Sequence, residues 1–151
     1  MRSRALLSGI VLAGVAALAA CGGLSQTATI PSIPCVLPSG TLVALAYPAP
    51  GATGVTDTPS QIVLALSSPL PATWELVVEI PGFTATGEAL LTAIQPNAIP
   101  TPYATPTFAA PSYETSGLSS GLPAASTINI ALNDESSSCN QYPVVGTFTT
   151  H

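Results

Sequence analysis

Gly117-Leu118-Ser119-Ser120-Gly121 has the G-x-S-x-G spacing of a hydrolase nucleophile elbow, and Asp134 and His151 follow it in the order Ser, Asp, His. That chemistry needs a serine lifted on a sharp strand-to-helix turn, with an imidazole beside it as base. The local pattern has neither a strand before Gly117 nor a helix after Gly121, and the single His is residue 151, at a chain end that frays. Loop composition accounts for the spacing, and a small serine hydrolase is a remote alternative. Glu75 and Glu79 would share one face of a strand, but four residues in a strand span about 13 Å. Paired glycosidase carboxyls need about 5–9.5 Å, so a solvated sheet face is the better reading. Asp57, Asp134 and Glu135 fall in turn-forming stretches without the ligand-spaced pattern of a Ca²⁺ loop. No metal and no cofactor is expected. Tyr103, Phe108 and Tyr113 recur at five-residue intervals among Pro102, Pro106 and Pro111. They form either an exposed aromatic row that binds sugars or a partner protein, or a set of anchors pinning a long loop to the core.

Charge narrows the function classes further. The chain has 151 residues, seven acids and two arginines, Arg2 and Arg4; it has no Lys. Nothing beyond Arg4 except His151 can neutralise a phosphate, which excludes nucleic-acid binding. The length suits one domain. Pro and Gly stay below the ~25–30% that marks low-complexity chains, and the expected state is folded.

The two arginines belong to a positive start, Met1-Arg2-Ser3-Arg4, followed by an uncharged apolar run from Ala5 to Ala20. As a helix this run would reach ~24 Å, short of a ~30 Å hydrocarbon core, and it reads as a secretory signal rather than a permanent span. Its ending, Leu18-Ala19-Ala20-Cys21, resembles the lipobox of bacterial lipoproteins. The resemblance implies cleavage before Cys21, a lipid on its thiol and stable membrane anchoring. Gly22, where an Asp would imply inner-membrane retention, leans toward an outer-leaflet destination and leaves the choice of membrane open. The expected organisation is a signal peptide over 1–20, a lipidated Cys and flexible tether over 21–34, and a domain over 35–150. Cys35 and Cys139 are then the remaining thiols in an oxidising compartment, where an even pair is expected to form a disulfide. Two free buried thiols are the alternative.

The elements that must position these residues are strands. Thr41–Tyr47, Gln61–Ser67, Thr73–Ile80, Thr127–Leu132 and Pro143–Thr150 are short, apolar or alternating, and bounded by Pro, Gly and Asn turns. Trp74, Leu76, Val78 and Ile80 alternate with Glu75, Val77 and Glu79, and Ile128, Ile130 and Leu132 share a face. Glu88–Gln95 fits either a strand or a helical turn. Thr101–Gly121 reads as one long Pro-rich loop. The expected fold is an all-β antiparallel sandwich. Tyr47-Pro48-Ala49-Pro50-Gly51-Ala52-Thr53-Gly54-Val55, followed by Ile62-Val63-Leu64-Ala65-Leu66-Ser67-Ser68-Pro69-Leu70, resembles the opening of bacterial Ig-like domains of the S-layer-protein type, with Leu66 where that family has Phe. Gly146-Thr147-Phe148-Thr149-Thr150 is similar to their last strand. The resemblance implies an Ig-like sandwich of about seven strands and a non-catalytic envelope module for structural, adhesive or accessory contacts. A carbohydrate- or ligand-binding module using the aromatic row is the alternative.

Overall fold

The computed structural model describes residues 30–151 except 57, 58, 60, 83–85, 110, 119 and 120, with backbone only at 86–88. The expected signal segment 1–20, Cys21, most of the expected tether, Asp57 and Ser119 lie outside the described residues, as does the side chain of Glu88. Eight strands follow in order: β1 (Val43–Tyr47), β2 (Ile62–Leu66), β3 (Trp74–Glu79), β4 (Thr86–Leu90), β5 (Thr92–Ala93), β6 (Ser112–Ser116), β7 (Thr127–Asp134) and β8 (Val144–Thr149). A 3₁₀ turn at Pro96–Ala98 is the one helical element among the described residues.

The strands form two antiparallel sheets, ordered β1-β2-β6-β5 and β4-β3-β7-β8. Lettered A to G with C′ after C, these are A-B-E-D and C′-C-F-G, an Ig-like order with Greek-key crossovers at β2–β6 and β3–β7. Eight strands stand where about seven were expected, and β5 is only two residues long. The ambiguous Glu88–Gln95 stretch is extended: β4 closes the edge of one sheet at Leu90, and β5 opens the edge of the other at Thr92.

Alternation places the main core between the sheets. Leu45, Ile62, Leu64, Leu66, Trp74, Leu76, Val78, Ile128, Ile130, Leu132 and Phe148 all meet there. β2 is buried along its whole length. Its sequence, Ile-Val-Leu-Ala-Leu, is the uninterrupted apolar run of a strand covered on both faces. The inward face is the main core. Outward, Val63 and Ala65 join Ala46, Ile99 and Tyr113 in a second cluster, with Tyr47, Ile94, Tyr103 and Phe108 packed against it. The Pro-rich stretch between β5 and β6 thus lies over the outer face of the first sheet, and the Ala104 N–H donates to the Ala46 carbonyl at 2.9 Å.

The Pro48–Gly54 turn carries the chain from one sheet to the other. After β1 leaves β2, Gly51 N–H donates to Thr147 O at 2.7 Å, Thr149 N–H to Ala52 O at 2.8 Å, Val55 N–H to Thr149 O at 3.1 Å and His151 N–H to Val55 O at 3.0 Å. Val55 pairs in parallel with Thr150. This ladder covers the outer edge of β8, which would otherwise present unpaired backbone groups. Gly51 and Gly54 take φ of 75° and 68° in the turn, where a side chain would be strained.

Cys35 and Cys139 form a disulfide with a Cα–Cα distance of 5.0 Å. Cys35 lies just before β1, and Cys139 lies in the β7–β8 connection. The bond therefore joins the entrance of the domain to its last inter-strand loop. Backbone bonds reinforce it: Cys35 N–H donates to Gln141 O at 2.8 Å, and Asn140 N–H donates to Ile33 O at 2.8 Å. Residues 31–34, assigned to the tether by sequence, are drawn into this contact; Asn140 Nδ2 also donates to Pro31 O at 3.0 Å.

Candidate functional site

Asp134 and His151 do not come together, and the elbow serine between Leu118 and Gly121 lies outside the described residues. β7 and β8 are antiparallel, pairing Thr127 with Thr149 and Ala131 with Val144. Asp134 ends β7, whereas His151 lies beside its start, where Ala125 N–H donates to the His151 carbonyl at 3.1 Å. The two side chains are separated by the length of the strand, roughly 20 Å or more. Asp134 Oδ1 instead accepts from Ser136 Oγ at 2.6 Å and Ser136 N–H at 3.0 Å. The Ser136 hydroxyl holds its carboxyl below the usual range, with a further contribution from Thr73. His151 Nδ1 lies 3.0 Å from the Val55 carbonyl.

Glu75 and Glu79 lie on the outer face of the second sheet, opposite Asn133 and Asn129 respectively. Between them Val77 is 1% exposed although it points away from the main core. Glu75 itself is buried at 9% exposure. This is a packed polar sheet face.

The aromatic residues lie against the first sheet. Tyr113 is buried on β6, and Tyr103 meets it edge-on with ring centroids 6.5 Å apart and an interplanar angle of 81°. Phe108 is half-buried on the same cluster. Burial, with Tyr103 as the second cause, pushes the Tyr113 phenol above its ordinary pKa. Edge-to-face rings of this kind contribute about 0.5–1.5 kcal/mol beyond their buried area. The geometry is that of anchors beneath a long loop.

A cleft that the sequence did not single out opens between the sheets on the side away from the β1–β8 contact. Its volume is 320 Å³, and Leu70, Pro71, Trp74, Leu91, Thr92 and Glu114 are among its lining residues. Glu114 pairs in register with Leu64 on one side and Ala93 on the other. It therefore shares the inward face of the first sheet with a core leucine. Burial pushes its carboxyl above the usual range, and a hydrogen bond from the Leu70 backbone N–H pulls the other way. Alternation is the signal that would have found it: Ser112, Glu114 and Ser116 take the inward phase of β6, and Tyr113 the outward one.

A raised carboxyl pKa has a defined sign. Between the unfolded and folded values the native state binds more protons, so Glu114 opposes folding at neutral pH and stops doing so as the pH falls toward the ordinary carboxyl value of about 4.3. Glu114→Gln is accordingly expected to raise the melting temperature at pH 7, with the gain over wild type shrinking on acidification. Thermal scans of both proteins between pH 7 and pH 4 check this; a variant less stable at pH 7 would contradict it.

The chain matches no protein-family model, no curated protein and no solved structure.

Proposed function

We propose that the chain is an exported, lipid-anchored module of a bacterial cell envelope, whose Ig-like sandwich makes structural, adhesive or accessory protein contacts without catalysis. The observation that carries this reading is the Cys35–Cys139 disulfide, in a chain whose remaining cysteine, Cys21, follows Leu18-Ala19-Ala20 in a sequence that resembles a lipobox. Disulfides persist in oxidising compartments, and Leu18-Ala19-Ala20-Cys21 after a positive start and an apolar run supplies both the route there and the anchor. The S-layer-type resemblance fits the same picture. Its Gly-Ala-Thr-Gly-Val segment is the one that crosses from β1 to the edge of β8, and its closing strand is β8. The separation of Asp134 from His151 favours a contact surface over a serine hydrolase.

The test is the anchor. Wild-type protein is expected to incorporate labelled palmitate and to accumulate as a precursor under globomycin. Cys21→Ser is expected to lose the label entirely and to leave the membrane fraction or remain uncut. Globomycin-insensitive maturation of the wild type would remove the lipoprotein reading.

A further inference from the structure

We propose that the cleft between Trp74 and Glu114 is a binding site for a small organic monocation, an ammonium carried on a short apolar stem. This goes beyond the envelope-module reading and does not depend on how the chain is anchored.

The first argument is charge. Glu114 is half-buried in a cleft whose other lining residues include Leu70, Pro71, Trp74 and Leu91. Desolvating a carboxylate is costly unless it gains hydrogen bonds or a counter-charge. The Leu70 N–H supplies one hydrogen bond, and a carboxylate offers about four acceptor positions. No counter-charge comes from within the domain, because both arginines lie at positions 2 and 4 and the chain has no Lys. His151 is bonded to Val55, at the edge of β8, which is on the other side of the sandwich. A cation that neutralises Glu114 must come from outside.

The second argument is shape and chemistry. The cleft is 320 Å³, at the small end of the ~300–1,000 Å³ typical of small-molecule sites. Apart from Glu114 and Thr92 its lining side chains are not polar-ended, with backbone groups contributing to the wall as well, which suits a ligand with one charged end and a short hydrocarbon body. Trp74, 4% exposed, is also among the lining residues, and indole is the best of the aromatic surfaces for a cation. Among the lining residues Glu114 is the one ionisable side chain, so the site is selective for a single positive charge rather than for a polyamine.

The third argument is placement. β6 is flanked by β2 and β5, and an apolar side chain at position 114 would continue the inward face that Leu64 shares in register. A carboxylate there opposes folding at neutral pH, as the direction of its pKa requires. Local choices that work against stability concentrate at binding sites.

Trp74 is the only tryptophan in the chain, so intrinsic fluorescence reads the cleft directly. The experiment titrates n-butylammonium into the full chain in mild detergent, with n-butanol and butyrate as controls and amide NMR shifts as a second readout. The expected result is a saturable fluorescence change with n-butylammonium, accompanied by shifts of the Leu70 and Thr92 amides, and at most a weak response to butanol. Glu114→Gln, which retains an acceptor for Leu70, is expected to weaken n-butylammonium binding by about tenfold or more while leaving the butanol response unchanged. A non-saturable change, an equal response to butyrate, or unchanged binding in Glu114→Gln would overturn the proposal. So would a Lys-bearing peptide that saturates the site where n-butylammonium does not, since the occupant would then be a partner protein.

Discussion

Reduction of the Cys35–Cys139 bond is expected to lower the unfolding free energy by about 2–5 kcal/mol, and the melting temperature by roughly 8–20 °C for a domain of this size. The bond spans 104 residues. In the chain-entropy view a loop of that length restricts the unfolded ensemble by up to about 4.7 kcal/mol. The folded state also loses local order. Cys35 is 6% exposed and packs in the main core, so two separated thiols would leave its packing to the backbone bonds with Gln141 and Asn140. Those bonds are few and lie near solvent. Thermal unfolding with and without reductant measures the difference, and the Cys35→Ser/Cys139→Ser double variant repeats it without chemistry. Quantitative thiol labelling of unreduced protein, or a covalent dimer through either cysteine, would show that the bond does not form. A melting temperature unmoved by full reduction would show that the Ile33–Asn140 and Cys35–Gln141 pairing suffices alone.

How much of this was legible beforehand depended on which way each strand turns its apolar residues. β3 and β7 were readable because Trp74, Leu76 and Val78, and Ile128, Ile130 and Leu132, recur at period two, with Glu75, Glu79, Asn129 and Asn133 among the positions between and beside them, although Val77 and Ala131 interrupt the polar phase. β2 was readable as a strand, but Val63 and Ala65 also point outward, and an apolar outer face requires a cover. The sequence held the cover in the Pro-rich stretch with Tyr103 and Phe108, and nothing in its spacing distinguished a lid from an exposed binding row. β6 was hidden because its pattern is inverted: Ser112, Glu114 and Ser116 face inward, and Tyr113 faces out under the loop. Its inward residues are not apolar, so periodicity could not register it, and the cleft was lost with it. β4 and β5 escaped for a different reason. A strand that switches sheets after a single residue, Leu91, reverses which positions are buried, and a period-two reading does not survive that reversal. The disulfide, by contrast, needed no fold to be expected: an even pair of cysteines, counted under the expectation of export, was enough.

Gly146→Ala is expected to cost about 1–3 kcal/mol, with larger residues costing more. Gly146 lies in β8, opposite Ile130. A Cβ built there would stand 2.4 Å from Leu45 Cβ, 2.9 Å from its Cδ2 and 3.2 Å from its Cγ. The closest of these atoms is fixed to the backbone of β1, and Leu45 is 1% exposed, so a change of rotamer cannot clear the contact. Relief requires β1 and β8 to move apart. Those are edge strands of different sheets, and the ladder from Gly51 to Val55 binds the end of one to the other. The clash should therefore spread into that ladder, with faster amide exchange at Gly51, Val55 and Thr149 as its local mark. Leu45→Ala offers a discriminating second variant. It costs about 2–5 kcal/mol by itself, and in the Gly146→Ala background it removes the Cγ and Cδ2 contacts while leaving the Cβ contact in place. Rescue in the double variant should therefore be partial at most. Gly117→Ala is the control, because nothing lies within 4 Å of a Cβ there, and it should fall within about 0.5 kcal/mol of wild type. Urea unfolding of the wild type and the four variants measures all of these terms. A Gly146→Ala protein as stable as Gly117→Ala would mean that β1 and β8 separate freely, and full rescue by Leu45→Ala would mean that the leucine's flexible end, rather than strand spacing, sets the cost.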